Sequence, residues 1–356
     1  MNLTHFKQYT KSDILSLTNL RRFETKMGER VAILDETVSI VEAVKRLQAQ
    51  YVVIGIPEDI GVQANYGVGG TSSVWLSFLQ SFLNSQSNDF LTGEDVAVIG
   101  HFDFGDLQFL IDKNAYGPDE KVQAYRHAVN AIDDEVESLI KLIVSEEKTP
   151  VVIGGGHNNA YPILKGSAKG LHAAQMIPLP QINCINLDAH TDYRPLEGRH
   201  SGNAFRYADE DGFLQKYCAI GIHEAFLPQN VWIDIVNNPF LDIITYEDIF
   251  IHEKRDFRQA VTHAIEFTQD NFCGIELDLD CVQNILSSAS TPSGVQAVHA
   301  RQYVNLCAAH AKAVYLHICE GATQLANGAS NNLTGKFINY LVTDFIKMHE
   351  GEEVAE

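Results

Sequence analysis

Three polar residues of metal-binding type stand at every second position directly after an apolar run. In the stretch CINLDAHTDYRP they are Asp188, His190 and Asp192. An acidic side chain at the edge of a hydrophobic core is unfavourable unless a partner compensates its charge. Carboxylates and imidazoles are common ligands of divalent cations. The stretch therefore suggests a metal ion, provided that other parts of the chain contribute further ligands.

Two more apolar runs end in residues of the same kind. VVIGGGHNN leads to His157, and GIELDLD ends in Asp278 and Asp280. Side chains alternate between the two faces of an extended chain, so residues i and i+2 point the same way. We therefore expect each spaced set to converge on one point, with Leu279 and Cys281 on the opposite, packed side.

The candidate ligands are two histidines and four aspartates, namely His157, Asp188, His190, Asp192, Asp278 and Asp280. The set exceeds the needs of one ion but suits two ions that share bridging carboxylates. Clustered carboxylates raise each other's pKa values, and two divalent cations would neutralise four of them. Hard oxygen and imidazole ligands without thiolate favour manganese over zinc. Two such ions about 3.5–4 Å apart can activate one water between them near neutral pH.

Each motif also has a purely structural interpretation. A histidine after three glycines can be a buried structural residue, LDLD can form a turn or a cap, and DAHTD alone is ambiguous. Ligand sites of open parallel sheets lie at the carboxyl ends of the strands. Because all three motifs close a buried apolar run, their joint occurrence favours a metal site over coincidence.

Short apolar runs rich in valine and isoleucine alternate with amphipathic segments along the chain. Such continuous runs are typical of strands buried on both faces of a parallel sheet. Strands are predicted at 51–57, 95–105, 149–156, 182–190, 217–223, 240–248, 272–280 and 313–321. Apolar residues at helical spacing predict a helix over 122–143, ended before Pro150, and others over 71–84, 255–270, 299–312 and 334–348. The alternation predicts a single α/β domain over 1–356, with 1–50 as a possible N-terminal extension.

Composition and charge limit the classes of partner that the protein is expected to bind and the cellular compartment in which it is expected. The net charge of −20 disfavours nucleic acid, because like charges repel. No apolar run reaches the roughly 18 residues that span a bilayer, and MNLTHFKQYTKSD lacks the apolar centre of a secretory signal. We expect a soluble, cytoplasmic protein that binds no membrane. No CxxC pair occurs among the six cysteines, so we expect small buried residues rather than disulfides.

The motifs GGGHNN, DAHTD and DLD, in this order, resemble those of the ureohydrolase family of arginases, agmatinases and formimidoylglutamases. The resemblance runs from GIPEDIGVQANYGVGG near residue 54 to GKFINYLVTDFI near the end. It implies an arginase-like three-layer α/β/α sandwich around a mainly parallel sheet of about eight strands. It also implies a homo-oligomer, a trimer or a hexamer.

The resemblance further implies two manganese ions per chain and assigns their ligands. His157, Asp188, Asp192 and Asp278 would hold one ion, and Asp188, His190, Asp278 and Asp280 the other, with Asp188 and Asp278 bridging. The implied chemistry is hydrolysis of a C–N bond in an amidine or guanidinium group by attack of hydroxide. Glu320 in HICEGA matches the family's substrate-binding glutamate, although GAT replaces the proline-containing segment that usually follows it.

The loop DYRPLEGRHSGNAFRYA distinguishes the family members. Phe205 stands where arginases carry a proton-shuttle histidine, which counts against an ordinary arginase. Formimidoylglutamases show DAHxDxR and then SGxxFR, and this chain matches both patterns. Arg194 and Arg206 are thereby candidate partners for substrate carboxylates, which an arginine fork binds through two hydrogen bonds. Ser201 and Asn203 of the SGN segment are further substrate-binding candidates.

The proton donor to the leaving amine is left open. His200 is one hypothesis, in a loop where agmatinases carry a histidine. His223 and His317 are weaker candidates, since such residues more often support a site from behind. An aspartate or a metal-bound water could act instead. In the glycine-rich loop 61–70, which lacks the GK[ST] of a phosphate-binding loop, Asn65 is a candidate substrate contact.

The sequence thus predicts a dimanganese hydrolase that converts N-formimidoyl-L-glutamate to L-glutamate and formamide. The alternative is an arginase- or agmatinase-type hydrolase that releases urea from a guanidino compound. One-zinc deacetylases of the same fold are disfavoured because the full two-metal ligand set is present. A non-catalytic metal-binding scaffold is a further alternative, given the departures at Phe205 and after Glu320.

Overall fold

A sheet of nine strands lies at the centre of the computed structural model, which describes residues 3–349. The strands are β1 Phe6–Gln8, β2 Tyr51–Gly55, β3 Val96–Phe102, β4 Thr149–Ile153, β5 Ile182–Leu187, β6 Leu214–Ile222, β7 Leu241–Thr245, β8 Cys273–Asp278 and β9 Ala313–Cys319. Their order across the sheet is β1-β3-β2-β4-β9-β8-β5-β6-β7. Strands β2 to β9 pair in parallel, and β1 is antiparallel at one edge.

Helices connect the strands and cover both faces of the sheet. They are α1 Lys11–Ser16, α2 Met27–Arg30, α3 Ile40–Arg46, α4 Ile60–Ala64, α5 Val74–Leu83, α6 Gly105–Asn114, α7 Pro118–Ser145, α8 Ala160–Ala173, α9 Ala204–Glu210, α10 Gln229–Asn237, α11 Tyr246–Phe250, α12 Phe257–Thr268, α13 Ala297–His310 and α14 Thr334–His349. Within the described residues, no helix combines the length and the apolar character needed to span a bilayer.

Two hydrophobic clusters separate the sheet from its two helical layers. Successive residues of β2 alternate between them, with Val53 in one cluster and Val52 and Ile54 in the other. Helices α1, α2, α5 and α11 to α14 pack in the first cluster, and α3, α4 and α6 to α10 in the second. The predicted three-layer α/β/α sandwich is therefore confirmed. All six cysteines are buried and free, in agreement with the sequence.

Every predicted strand is present, and the sheet contains one more. The additional strand, β1, has only three residues, too few for an alternating pattern to be recognised in the sequence. It extends the sheet by pairing Phe6 with Phe102. Helix α8 was also not predicted, since glycines interrupt its apolar pattern. Those glycines allow close packing on α7, because a Cβ at Gly166 would lie 2.8 Å from the Glu137 carbonyl oxygen.

The order of the central strands explains how distant parts of the chain meet. Strands β4, β9, β8 and β5 are direct neighbours and parallel. Their carboxyl ends therefore lie side by side along one edge of the sheet. The residues that follow them come from segments around 157, 320, 280 and 190 of the sequence. This edge is where parallel sheets bind ligands.

His5 connects the chain near β1 to two helices. Its Nδ1 lies 2.6 Å from a Glu135 carboxylate oxygen, and its Nε2 lies 3.2 Å from one of Asp106. Partial burial opposes protonation, but the two carboxylates raise the pKa of His5 above its usual value. The stabilisation that the charged imidazolium contributes is therefore fully present below the pKa of histidine in an unfolded chain, about 6.5. It is lost as pH rises through the higher pKa of His5 in the folded protein.

Replacing His5 with asparagine should therefore destabilise the fold more at about pH 5.5 than at about pH 9. The difference should not exceed about 1 kcal/mol, the range of partly exposed ion pairs. Urea unfolding of wild type and His5→Asn in EDTA, followed by circular dichroism at both pH values, measures it. An equal loss of stability at the two pH values would show that the imidazolium charge contributes nothing.

Candidate metal centre

The six histidines and aspartates singled out in the sequence lie together at the carboxyl edge of the sheet. Asp188 follows β5, Asp278 ends β8, and His157 begins a short 3-10 turn after β4. Two overlapping groups have ligand atoms within 4.8 Å of one another: His157, Asp188, Asp192 and Asp278 in one, and Asp188, His190 and Asp280 in the other. Asp188 is shared by both groups.

His157 directs one ring nitrogen at three carboxylates. Its Nδ1 lies 2.8 Å from an oxygen of Asp192, and 3.3 Å from oxygens of both Asp188 and Asp278. The side chain is fully buried, yet neither ring nitrogen has a hydrogen-bond partner of acceptable geometry in the described structure. A buried nitrogen without a partner, facing several carboxylate oxygens, fits a cation ligand better than a structural histidine.

His190 forms the second group at the mouth of the site. Its Nδ1 lies 2.9 Å from an Asp280 oxygen and 3.7 Å from an Asp188 oxygen. The other oxygen of Asp280 is buried and has no hydrogen-bond partner among the described residues. The donor set is thus oxygen and imidazole, which fits hard divalent cations of the manganese type.

The pKa values of the cluster reflect crowded negative charge. Burial and the charge of Asp188 raise the pKa of Asp192 to about 6. Burial and the charges of Asp280 and Asp188 raise the pKa of Asp278 well above its usual value. Burial lowers the pKa of His190, but Asp280 and Asp188 overcome this and raise it to about 12. Without bound metal ions, the carboxylates of the cluster thus compete for protons. Bound cations would remove this competition.

The local backbone differs from the extended chain that the spacing suggested. Strand β5 ends at Leu187, and Leu279–Cys281 form a 3-10 turn directly after β8. In that turn the Asp280 backbone N–H donates to the Asp278 carboxylate at 2.8 Å, so the turn brings the two side chains together. The explanation by strand alternation is therefore wrong for these residues, although Leu279 and Cys281 are buried as expected.

Two site residues have left-handed backbone conformations, which residues other than glycine rarely adopt. Asp192 has a φ of 44° and Glu320 a φ of 60°. Such strain is tolerated where the surrounding structure fixes it, and it is common at functional sites. The GGG segment before His157 also needs φ values that favour glycine, with 76° at Gly155. A Cβ there would approach the Ile56 carbonyl oxygen to 2.7 Å.

A cleft of about 350 Å³ opens over the cluster. Glu320 lines it, 3% exposed, where β9 ends. One carboxylate oxygen accepts the backbone N–H of His157 at 2.8 Å, and the other accepts the Ser288 hydroxyl. Burial chiefly raises the pKa of Glu320 to about 8. A cationic group entering the cleft would offset that burial cost.

Arg194, Asn65 and Ser201 also line the cleft. The guanidinium of Arg194 donates to the Asn65 side-chain oxygen at 3.1 Å. The Asn65 amide group in turn donates to the Ser201 hydroxyl at 3.3 Å. Arg194 is the only arginine or lysine among the described residues that line the cleft. These three predicted residues are therefore brought together at the site.

His200 and Asn203 lie beside the cleft without facing it. His200 is fully buried, its Nδ1 accepts the Gly202 N–H at 3.1 Å, and its Nε2 lies 3.1 Å from Glu197. Burial lowers the pKa of His200 to about 4, although Glu197 opposes this. Asn203 is also buried and accepts hydrogen bonds from Arg199 and the His200 backbone. These positions support neither a proton-donor role for His200 nor a substrate contact for Asn203.

Arg206 lies on α9 and does not line the cleft. It pairs with Asp234, lies 3.6 Å from Glu210, and stacks over the Tyr193 ring. Two carboxylates thus compensate its charge, although its buried Nε has no hydrogen-bond partner among the described residues, and its position does not support the predicted contact with substrate. Phe205 is fully buried and packs edge-on against the His157 ring, with centroids 5.2 Å apart. It thus fixes the plane of a candidate ligand.

Some residues of the site were missed from the sequence. Glu276 lies 3.4 Å from His157 Nε2, and Asn186 donates to Asp188 at 3.0 Å. Each is a polar residue inside an apolar strand, two positions before a predicted ligand. This pattern is visible in the sequence and could have indicated both residues. Glu58 accepts the Gly156 N–H at 3.0 Å and holds the loop of His157. Phe226 stacks on His190, and no sequence pattern indicates it.

A model of the Arginase family matches residues 49–343, which is most of the chain. The chain belongs to the arginase family. The family resemblance inferred from the motifs is therefore confirmed.

Curated relatives of this arginase-family chain include formimidoylglutamases. That of Psychrobacter cryohalolentis is 27% identical over 206 residues, covering 55% of this chain and 56% of the relative. That of Streptococcus pyogenes serotype M6 is 26% identical over 177 residues, covering 48% of this chain and 50% of the relative. The aligned region thus spans about half the length of these relatives.

Solved structures share the fold over nearly the whole chain. Formimidoylglutamase from Bacillus subtilis superposes with a TM-score of 0.70 at 15% identity, covering 94% of this chain and 95% of that one. Formiminoglutamase from Trypanosoma cruzi, solved with Mn²⁺, superposes with a TM-score of 0.66 at 19% identity, covering 88% and 98%. The arginase-like fold predicted from the sequence is confirmed.

Manganese should raise the thermal stability of the metal-free protein, because cations that bind only the folded cluster shift the unfolding equilibrium. Asp278→Asn should abolish most of this gain. In EDTA the same variant should be at least as stable as wild type, since it removes a repelled, buried carboxylate. Thermal unfolding with and without manganese tests both signs, with Asp89→Asn as a control on the exposed surface. Equal manganese gains in wild type and Asp278→Asn would contradict the assignment of Asp278.

Proposed function

We propose that this chain is a dimanganese hydrolase of N-formimidoyl-L-glutamate, yielding L-glutamate and formamide. The observation that carries the proposal is the cleft itself. Histidine and aspartate residues of the cluster line it, together with the carboxylate of Glu320 and the guanidinium of Arg194. A substrate that carries both an amidine and carboxylates matches this combination of charged groups.

His157, Asp188, Asp192 and Asp278 would hold one ion, and Asp188, His190, Asp278 and Asp280 the other. The unpartnered His157 Nδ1 and Asp280 oxygen support this assignment, as does the mutual repulsion of the carboxylates. The manganese found with the Trypanosoma cruzi structure supports the choice of metal. Two such ions supply Lewis acidity and a hydroxide nucleophile when bound.

Glu320 would bind the amidinium of the substrate. Its two oxygens are oriented by the His157 backbone N–H and by the Ser288 hydroxyl, so the carboxylate is fixed before substrate enters. An amidinium is planar and donates hydrogen bonds through two N–H groups, which a carboxylate accepts side by side. This pairing would hold the amidine carbon over the histidine–aspartate cluster.

Arg194 would bind the carboxylate end of the substrate. The Asn65 side chain restrains its guanidinium, and a Cβ at Gly202 would clash with the Asn65 amide at 2.8 Å, so the glycine makes room for this contact. In a chain of net charge −20, a local positive group is needed to attract an anionic substrate. Arg206, with its own acidic partners, is left out of the proposed substrate site. Assembly into a trimer or hexamer stays a prediction.

The first experiment compares substrates on the manganese-loaded protein. Formamide and glutamate should form from N-formimidoyl-L-glutamate, and no urea should form from arginine or agmatine. EDTA-treated protein should be inactive on all three. Release of urea without formamide would be consistent with the proposed metal centre but would overturn the assignment of Arg194. Tight binding of two ions without turnover of any of the three would favour the non-catalytic scaffold.

Arg194→Gln should then lower kcat/KM for N-formimidoyl-L-glutamate by about 10–100-fold, mainly through KM. The magnitude is that of a lost hydrogen bond to a charged group, about 1.5–3 kcal/mol. Arg206→Gln removes the same charge outside the cleft and should leave KM within about twofold of wild type. Steady-state kinetics of the two variants decide between the two arginines. A larger effect of Arg206→Gln would reverse the assignment.

A further inference from the structure

A buried hydrogen-bonded group lies directly behind the proposed metal ligands. It comprises Glu276 on β8 with Tyr315 and His317 on the adjacent β9, and we call it the Glu276 network. All three side chains are fully buried. None of them lines the cleft, and the proposed function assigns them no role. A carboxylate placed within the hydrophobic interior is costly, so its contacts call for an explanation.

Glu276 is surrounded by donors from two directions. The Tyr315 hydroxyl donates to one of its oxygens at 2.7 Å. The other oxygen lies 2.6 Å from His317 Nδ1 and 3.4 Å from His157 Nε2. The network therefore reaches from the middle of the sheet to the back of the imidazole whose front faces the three aspartates.

The two nitrogens of His157 face different partners. Nδ1 lies within 3.3 Å of oxygens of Asp188, Asp192 and Asp278. A histidine that binds a cation uses a nitrogen without a proton, so its other nitrogen carries the hydrogen. In His157 that hydrogen belongs on Nε2, on the side of Glu276. Nε2 has no hydrogen-bond partner of good geometry in the described structure, and 3.4 Å is just beyond a normal hydrogen bond.

The other polar groups close to His157 are poorer acceptors than Glu276. His317 and Cys319 lie close enough to His157 to form a cluster with it. A neutral imidazole or a thiol accepts a hydrogen bond more weakly than a carboxylate does. Glu276 is thus the strongest acceptor near the His157 ring, and its distance of 3.4 Å from Nε2 would have to shorten by a few tenths of an ångström for a normal hydrogen bond. Phe205, edge-on against the ring, limits how far it can turn.

We propose that Glu276 is a positioning residue that accepts the Nε2–H of His157 and thereby fixes Nδ1 toward the metal ion. The inference rests on the proposed function, since it requires His157 to be a ligand. A carboxylate behind a ligating histidine sets its tautomer and orientation and increases its basicity. The alternative is that Glu276 serves only as an acceptor for Tyr315 and His317 within the core.

Manganese titration of the purified protein, with free Mn²⁺ measured by electron paramagnetic resonance, tests the proposal without an activity assay. Wild type should bind two ions. Glu276→Gln keeps the size of the side chain but removes the carboxylate charge. It should bind one ion about 10–100-fold more weakly and the other with unchanged affinity, because only one ion contacts His157. Tyr315→Phe, the matched control, removes another partner of Glu276 and should leave both affinities within about threefold.

A double-mutant cycle separates positioning from a structural role. In the background of His157→Ala, Glu276→Gln should cause no further loss of manganese affinity. A further loss there, or an equal loss for both ions, would overturn the proposal in favour of a core role. If Glu276→Gln does not fold, Glu276→Asp replaces it. We then expect weaker binding of the ion that His157 holds. Unchanged affinities for both ions would contradict the proposal. Failure of wild type to bind two ions would instead overturn the proposed function itself.

Discussion

The repulsion among buried carboxylates is the constraint on which the rest of this structure depends. Four aspartates meet at one edge of the sheet, and two further carboxylates, Glu320 and Glu276, lie next to His157 in the same region. Two histidines next to the aspartates cannot balance so much negative charge. The raised pKa values of Asp192 and Asp278 express this imbalance in the protein alone. Divalent cations would remove it, so the fold and the proposed chemistry depend on the same charges.

The sheet holds this charge in place through its strand order. Because β9, late in the chain, lies between β4 and β8, Glu320 comes to rest between the segments that carry His157 and Asp278. The left-handed backbone of Asp192 and Glu320 is then fixed by surrounding contacts, including the Glu320 N–H bonded to the Gly155 carbonyl at 3.0 Å. Strain at these two positions is thus compensated by a large parallel sheet and two hydrophobic clusters, which leave the site little freedom to relax.

Selectivity for a substrate would depend on parts of the molecule that the sheet does not determine. Arg194 lies on a loop, held by Asn65 from another loop 129 positions away in the sequence. Phe226 covers His190 from a third segment. Loops of this kind vary while the core stays constant, so one metal-binding scaffold can serve several amidine or guanidine substrates.

The sequence by itself determined the fold class, eight of the nine strands and the six candidate ligands. Apolar runs that end in Asp or His are a local signal in the sequence. From this signal it follows that the candidate ligands lie buried at the carboxyl edge of a parallel sheet. Only the tertiary structure decided which polar residues face the cleft. His200, Asn203 and Arg206 share the loop motif of Arg194 and Ser201, yet hydrogen bonds to Gly202, Arg199 and Asp234 turn them elsewhere. The physical reason is that the direction of a side chain in a loop depends on partners that are distant in the sequence. The apolar pattern of a strand, in contrast, depends only on residues that are adjacent in the sequence.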